Sequence, residues 1–243
     1  MKRDKSMYKY YYKRDDVKAK SEYKELLCRL QLSENPVAEI LNGIQLDKIR
    51  TTLNYNHQTC NGYKNEFERR TEKRLCRCLV CYNNGLNNPS CVNCKMNTEH
   101  RLAKNVLNAK FVDFEIPVTD VSDDHIGEID LMMQYDNQIY ALEFKPFWNK
   151  ESLLRMIAEI ITYDAFAKRS KCIGDKFKNY KLGIMFMKVD GEPNEQYNQF
   201  TGNGKLQYIL TEKEKGIFDL LGISVFCLEI DKKTDGYVVQ KLR

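Results

Sequence analysis

No stretch of this chain approaches the roughly 18 consecutive apolar residues that cross a bilayer. The opening Met1, Lys2, Arg3, Asp4, Lys5 lacks the apolar segment of a secretory leader. The sequence therefore predicts a soluble, cytoplasmic protein with no membrane partner. A phosphate-cradling glycine loop is also missing, which argues against ATP hydrolysis within the chain. Histidine is scarce, and His57, His100 and His125 stand at no metal or nucleophile spacing, so they read as surface or internally satisfied residues. A net charge of only +5 is too small for a histone-like polycation. Internal repeats are absent, and the one biased tract is the tyrosine- and lysine-rich start.

What is present is a chain of 243 residues, enough for one large domain or two small ones. A core of that size needs no disulfide staples. The charge is distributed unevenly. Residues 1–24 carry nine Lys/Arg against four Asp/Glu, and residues 64–104 carry another nine against four, so the remainder is acidic. The first basic segment interleaves cations with aromatics (Tyr8, Lys9, Tyr10, Tyr11, Tyr12, Lys13, Arg14), a composition suited to phosphates and base or sugar faces as well as to a solvated terminus.

Apolar spacing predicts helices between Ser21 and about Tyr55, with Tyr23, Leu26, Leu27 and Leu30 in one run and Val37, Ile40, Leu41 and Ile44 in the next. This reads as an N-terminal helical subdomain within residues 1–63. Residues 64–75 predict a charged helical arm that leads into a cysteine-rich segment ending near residue 98. Glu99 to Ala109 predicts a helix with Leu102, Ala103, Val106 and Leu107 inward. Strands are expected over 111–118, 126–133 and 138–145, with a hairpin turn at Gln134 to Asn137. A long amphipathic helix from near Ser152 places Leu153, Met156, Ile157, Ile160 and Ile161 on one face. The apolar runs 181–189 and 224–230 suit central strands covered on both sides.

Chemistry concentrates at the end of the 138–145 strand. Period-two alternation turns Glu143 and Lys145 to one face, and Glu128 and Asp130 share a face of the neighbouring strand. Paired with those faces aligned, the strands bring three acids and one lysine together. Buried carboxylates repel one another and lose hydration, a conflict that a divalent cation resolves. Magnesium suits such a site because it takes one or two carboxylates and keeps positions for water and phosphate.

Asp130, Glu143 and Lys145 in this order resemble the motif of the PD-(D/E)XK nuclease superfamily, over roughly residues 99–230. The run Gly127, Glu128, Ile129, Asp130, Leu131 is similar to a segment of archaeal-type Holliday junction resolvases. The resemblance implies an α/β, restriction-endonuclease-like core over 99–243, a mixed central sheet flanked by helices. It implies hydrolysis of phosphodiester bonds in DNA with Mg²⁺ or Mn²⁺ held by Asp130, Glu143 and the carbonyl of Phe144, with Lys145 steering the attacking water. Either Glu99 or Glu128 supplies a further acid. Some members carry Gln-x-x-x-Tyr on the following helix; here Glu159 and Tyr163 stand at that spacing and read as an ordinary helix-surface pair.

Five of the nine cysteines crowd between Cys76 and Cys94. Cys78-x-x-Cys81 and Cys91-x-x-Cys94, separated by nine residues, fit two knuckles of a tetrahedral Cys₄ zinc site, with Cys76 as an alternative ligand to Cys78. A fully ligated Cys₄ site is structural. Arg69, Arg70, Lys73, Arg74, Arg77 and Lys95 around it predict a DNA-binding surface. The expected partner is thus DNA, with RNA as a variant substrate, and a homodimer or larger nucleoprotein complex suits double-strand cleavage. Restriction-type, junction-resolving and transposon-end cleavage all fit. The competing class is a non-catalytic nucleic-acid-binding adaptor whose acid–lysine cluster is structural.

Overall fold

The computed structural model describes residues 27–42, 72–83, 102–118, 128–169, 177, 179–192, 194–203 and 209–243. Apart from a helical stretch over 27–32, the elements in chain order are α1 (Pro36–Leu41), α2 (Glu72–Asn83), β1 (Val106–Leu107), β2 (Lys110–Pro117), β3 (Glu128–Tyr135), β4 (Gln138–Lys145), α3 (Leu153–Arg169), β5 (Lys181–Lys188), α4 (Glu195–Thr201), α5 (Glu212–Leu221), β6 (Ile223–Asp231) and β7 (Gly236–Lys241). The strands form one seven-stranded mixed sheet in the order β1-β7-β6-β5-β4-β3-β2. The fold is mixed α/β. No helix among the described residues is long and apolar enough to cross a membrane.

Local chemistry explains the central elements. The β3–β4 hairpin closes through Asp136 and Asn137, both at positive φ (46° and 61°), the pair of left-handed positions that a two-residue turn between right-twisted strands requires. β4, β5 and β6 run parallel, and their apolar side chains alternate between two clusters. Leu182, Ile184, Phe186, Val225 and Cys227 face the side covered by α3, α4 and α5, whereas Met185, Met187, Phe226 and Leu228 face the side of α2. Each such buried side chain contributes about 1.5–3 kcal/mol. Gly183 in β5 sits where a Cβ would lie 2.6 Å from Leu142 Cδ2, so its missing side chain lets Leu142 and Phe226 close over the strand.

The helical stretch over 27–32 and α1, expected as a separate subdomain, share a cluster with α3 through Leu27, Leu30 and Ile40. Likewise α2, which spans the end of the charged arm expected over 64–75 and the start of the cysteine segment, packs along β2 through Leu75, Leu79 and Val80. The helix expected over 99–109 is not what forms at its C-terminal end, because Val106 and Leu107 pair in parallel with Tyr237 and Val238 as β1. Asn108, left-handed at φ 57°, ends the local geometry there. Its amide donates to Val239 O at 2.7 Å, and its Oδ1 accepts from Val239 N at 3.0 Å.

Candidate active site

β3 and β4 stay paired only as far as Leu131 and Leu142, and beyond that pair the ladder opens. Asp130 enters the gap, and its Oδ2 accepts the Phe144 N–H at 2.8 Å, so a side chain takes the place of a strand partner. Continued alternation along β4 points Glu143 and Lys145 to the side of α3, where both are buried. Glu72, in the first turn of α2, arrives at the same point. Glu72, Asp130 and Glu143 each present one carboxylate oxygen within 4.8 Å of the other two.

Lys145 Nζ is the centre of this group. It lies 2.5 Å from Glu143, 3.1 Å from Glu72, 3.5 Å from Glu151, 3.6 Å from Glu159 and 3.9 Å from Asp130. Arg155 is the second cation, 3.1 Å from Glu151 and 3.0 Å from Glu159. With all five carboxyls ionised, two cations would leave an excess of three negative charges in a region mostly withdrawn from water. Burial, with repulsion from Asp130 and Glu159, drives the Glu143 carboxyl well above the usual carboxylate range despite Lys145. Burial likewise pushes Asp130 up to about 8, with Glu72 adding to the rise and Lys145 and the Phe144 N–H opposing it. Burial also raises Glu72. For Glu159 burial is outweighed by Lys145, Glu143 and Arg155, and its carboxyl is held low. Burial lowers Lys145, but Glu143, Glu72 and Asp130 overcome this and leave it firmly protonated.

A divalent cation fits this set of donors. All are hard carboxylate oxygens, and Glu143 Oε2 is buried with no hydrogen-bond partner. A buried acceptor left without a partner costs about 1–3 kcal/mol, a cost that a cation removes.

Of the residues singled out in the sequence, Asp130, Glu143 and Lys145 are brought together. Glu128 is not with them: it pairs across from Pro117 at the open end of β3 and accepts from Lys73 Nζ at 2.7 Å. Glu99 lies outside the described residues. Three carboxylates escaped the sequence reading. Glu72 stands three, four and seven residues before Leu75, Cys76 and Leu79, so an acid on the apolar stripe of its helix was the available signal. Glu159 is not the surface residue its spacing suggested; it is 4% exposed, because α3 is buried on nearly all sides. Glu151 sits in a connecting segment with no periodicity to mark it.

The cysteine reading changes too. Cys76, Cys78 and Cys81 lie along α2, not in a loop knuckle, and Cys76 and Cys78 are buried among apolar side chains. The helix forms there because Leu75, Leu79 and Val80 complete an apolar stripe against β2. Burial and the neighbouring Asp130 and Glu72 drive the Cys76 thiol well up. Cys91 and Cys94 lie outside the described residues, as do Arg69, Arg70, Lys95, the aromatic basic start and the three histidines. Within the described residues Lys73 is exposed beside Glu128, and Arg77 turns inward to Glu115 at 2.8 Å. Comparison with protein-family models, with curated proteins and with solved structures yields no match.

Proposed function

We propose that the protein is a metal-dependent nuclease that hydrolyses phosphodiester bonds in DNA, built on a restriction-endonuclease-like core. The supporting observation is the meeting of Glu72, Asp130 and Glu143 around one protonated lysine, with acidic charge in excess. A purely structural ion-pair network has no need of three unmatched carboxylates.

Glu72, Asp130 and Glu143 would hold Mg²⁺ or Mn²⁺, which when bound supplies positive charge that polarises a phosphoryl oxygen. Phe144 keeps Asp130 aimed into the site through its N–H. Lys145 stays charged at neutral pH and sits within reach of all the acids, where it orients an attacking water and stabilises negative charge growing on the phosphate. Arg155 bridges Glu151 and Glu159 and offsets one of their two charges, so that these two hold Lys145 in place without adding their full repulsion to an incoming phosphate. In-line attack of this kind leaves a 5′-phosphate and a 3′-hydroxyl. A separate, structural Zn²⁺ shared by Cys78, Cys81, Cys91 and Cys94, with Cys76 as the alternative to Cys78, remains part of the proposal.

The test incubates the purified chain with Mg²⁺ or Mn²⁺ and supercoiled plasmid, linear duplex, single-stranded, four-way and ribonucleotide substrates. Cleavage of a DNA substrate that disappears in Glu143→Ala supports the nuclease. Binding by both proteins with cleavage by neither overturns it in favour of an adaptor, and cleavage confined to RNA overturns the DNA assignment.

A further inference from the structure

The segment between β4 and α3 is held from outside by a buried amide. Pro146 O accepts the Asn149 N–H at 2.9 Å, which closes a turn, and Asn149 Oδ1 accepts the Glu151 N–H at 2.7 Å. From this strap Asn149 Nδ2 donates to Glu72 Oε2 at 3.2 Å, and Glu151 reaches within 3.5 Å of Lys145. The strap therefore touches both a proposed metal ligand and the lysine, although it carries neither.

Gln196 of α4 fixes the strap. It has no exposed surface, and its Nε2 donates to Asn149 O at 3.0 Å and to Glu151 O at 2.9 Å. Its Oε1 is buried without a partner. A fully buried amide with one end unsatisfied is a costly way to fill space beside Phe200, where a leucine or methionine would pack without that penalty. What an apolar side chain cannot do is hold two carbonyls of one connecting segment at once. Neighbouring Gln199 is different: its Oε1 accepts the Leu153 N–H at 3.2 Å and so secures the start of α3, not the strap.

We infer that Gln196 is a positioning residue for the metal site, acting through the strap on Glu72 and Lys145; the inference rests on the nuclease reading. Two donors from one side chain fix the backbone on both sides of Lys150, and that backbone sets where Asn149 and Glu151 project. Glu72 comes from a different helix across the site and is held there twice, its Oε1 by Lys145 at 3.1 Å and its Oε2 by Asn149 of the strap at 3.2 Å. With Gln196 shortened to an apolar group, the strap loses its outer anchor while the strands and α3 keep theirs.

The strap also carries Trp148, the only tryptophan in the chain, half-buried with its ring 4.9 Å from that of Phe147. Its fluorescence reports strap order without any need for turnover. The experiment compares Gln196→Leu with Gln199→Leu in the full chain, reading Mn²⁺ affinity by loss of the free-ion paramagnetic signal, acrylamide quenching of Trp148, and melting temperature. The expected result is a fall in Mn²⁺ affinity of about 10-fold or more for Gln196→Leu, the scale seen when a group supporting a metal ligand is lost. Trp148 quenching rises with it. Gln199→Leu lowers the melting temperature and leaves Mn²⁺ affinity within error. Should Gln196→Leu fail to fold, Asn149→Ala breaks the same link at its half-buried end and should weaken Mn²⁺ binding to a similar degree. Equal Mn²⁺ affinity in wild type and Gln196→Leu, or an equal loss in both glutamine variants, overturns the inference alone. A wild-type chain that takes up no Mn²⁺ overturns the nuclease reading and this inference together.

Discussion

Two adjacent parallel strands, β4 and β5, both end on a lysine, and the two lysines live in opposite electrostatic worlds. Lys188 lies directly across from Glu229 in the β5–β6 register, 3.2 Å away, with its ammonium 4.8 Å over the Tyr197 ring and part of its side chain in water. One cation meets one anion. Lys145 is buried and meets five carboxyl groups, only two of which also have Arg155. A balanced pair at a strand end is a fastening of the sheet. An unbalanced one is a place that attracts a further positive charge, and that contrast carries the functional assignment more than the motif spacing does.

The contrast is broken most severely by removing each lysine in turn. Lys145→Met should destabilise the cation-free protein by about 3–5 kcal/mol, because the buried acids lose their main counter-charge. It should retain Mn²⁺ binding, since the carboxylates remain, and lower the cleavage rate by about 10²–10³-fold. Thermal melts with and without Mn²⁺, together with single-turnover plasmid nicking, measure all three. Glu72→Gln comes next: Mn²⁺ affinity should fall at least about 10-fold, as the α2 contribution to the oxygen set is lost while the β3 and β4 contributions stay. Titration of the paramagnetic ion reads this directly, and unchanged affinity would remove α2 from the site.

Why Glu72 escaped the sequence reading shows where legibility ends. The β2, β3, β4, β5 and β6 strands and the start of α3 are local in origin: alternation, an Asp-Asn turn and long apolar runs mark them within a residue or two. Asp130, Glu143 and Lys145 are legible for the same reason, since two strands and one short turn fix their relation. Glu72 and Asp130 are 58 positions apart, and nothing in spacing says that α2 will lie along β2. The first cysteine pair lies on a helix and not in a loop. A Cys-x-x-Cys spacing is equally a helical i, i+3 pair, and Leu75, Leu79 and Val80 decide for the helix. β1 was missed because it is a two-residue edge strand whose partner is distant in sequence: Val106 pairs with Tyr237 of β7, and the Tyr237 N–H reaches Asn105 O at 2.7 Å. Glu159 was misread because a helix buried on nearly every side gives no polar face by which to judge an acid.

A smaller effect follows from the raised carboxyls. Asp130, pushed up to about 8, together with raised Glu143 and Glu72, holds protons in the folded cation-free chain that the unfolded chain releases near pH 4. Folding then takes up protons, so this contribution is present in full below about pH 4 and is lost as pH rises toward about 8. Glu159, held low, acts in the opposite sense, but its loss falls at the acid end, below the unfolded carboxylate value. The melting temperature of the cation-free protein should therefore decline across this window, and saturating Mn²⁺ should restore it most at the alkaline end. Asp130→Asn, which keeps an oxygen for the Phe144 N–H, should flatten the decline. An identical slope in that variant would mean that Asp130 is not the titrating group.

The smallest expected effect is the sharpest control on the whole comparison. Lys188 and Glu229 are partly exposed cross-strand neighbours, and pairs of that kind contribute about 0–1 kcal/mol. Lys188→Met, Glu229→Gln and the double variant form a cycle whose coupling should lie in that range and shrink at high salt. None of the three should alter Mn²⁺ affinity or cleavage rate. Glu229 also accepts from Gln240 Nε2 at 3.2 Å, so it keeps a donor when Lys188 is gone, which is why loss of this lysine is mild where loss of Lys145 is not. A coupling of several kcal/mol, or a change in cleavage, would mean that the charge imbalance around Lys145 is not what sets the two strand ends apart.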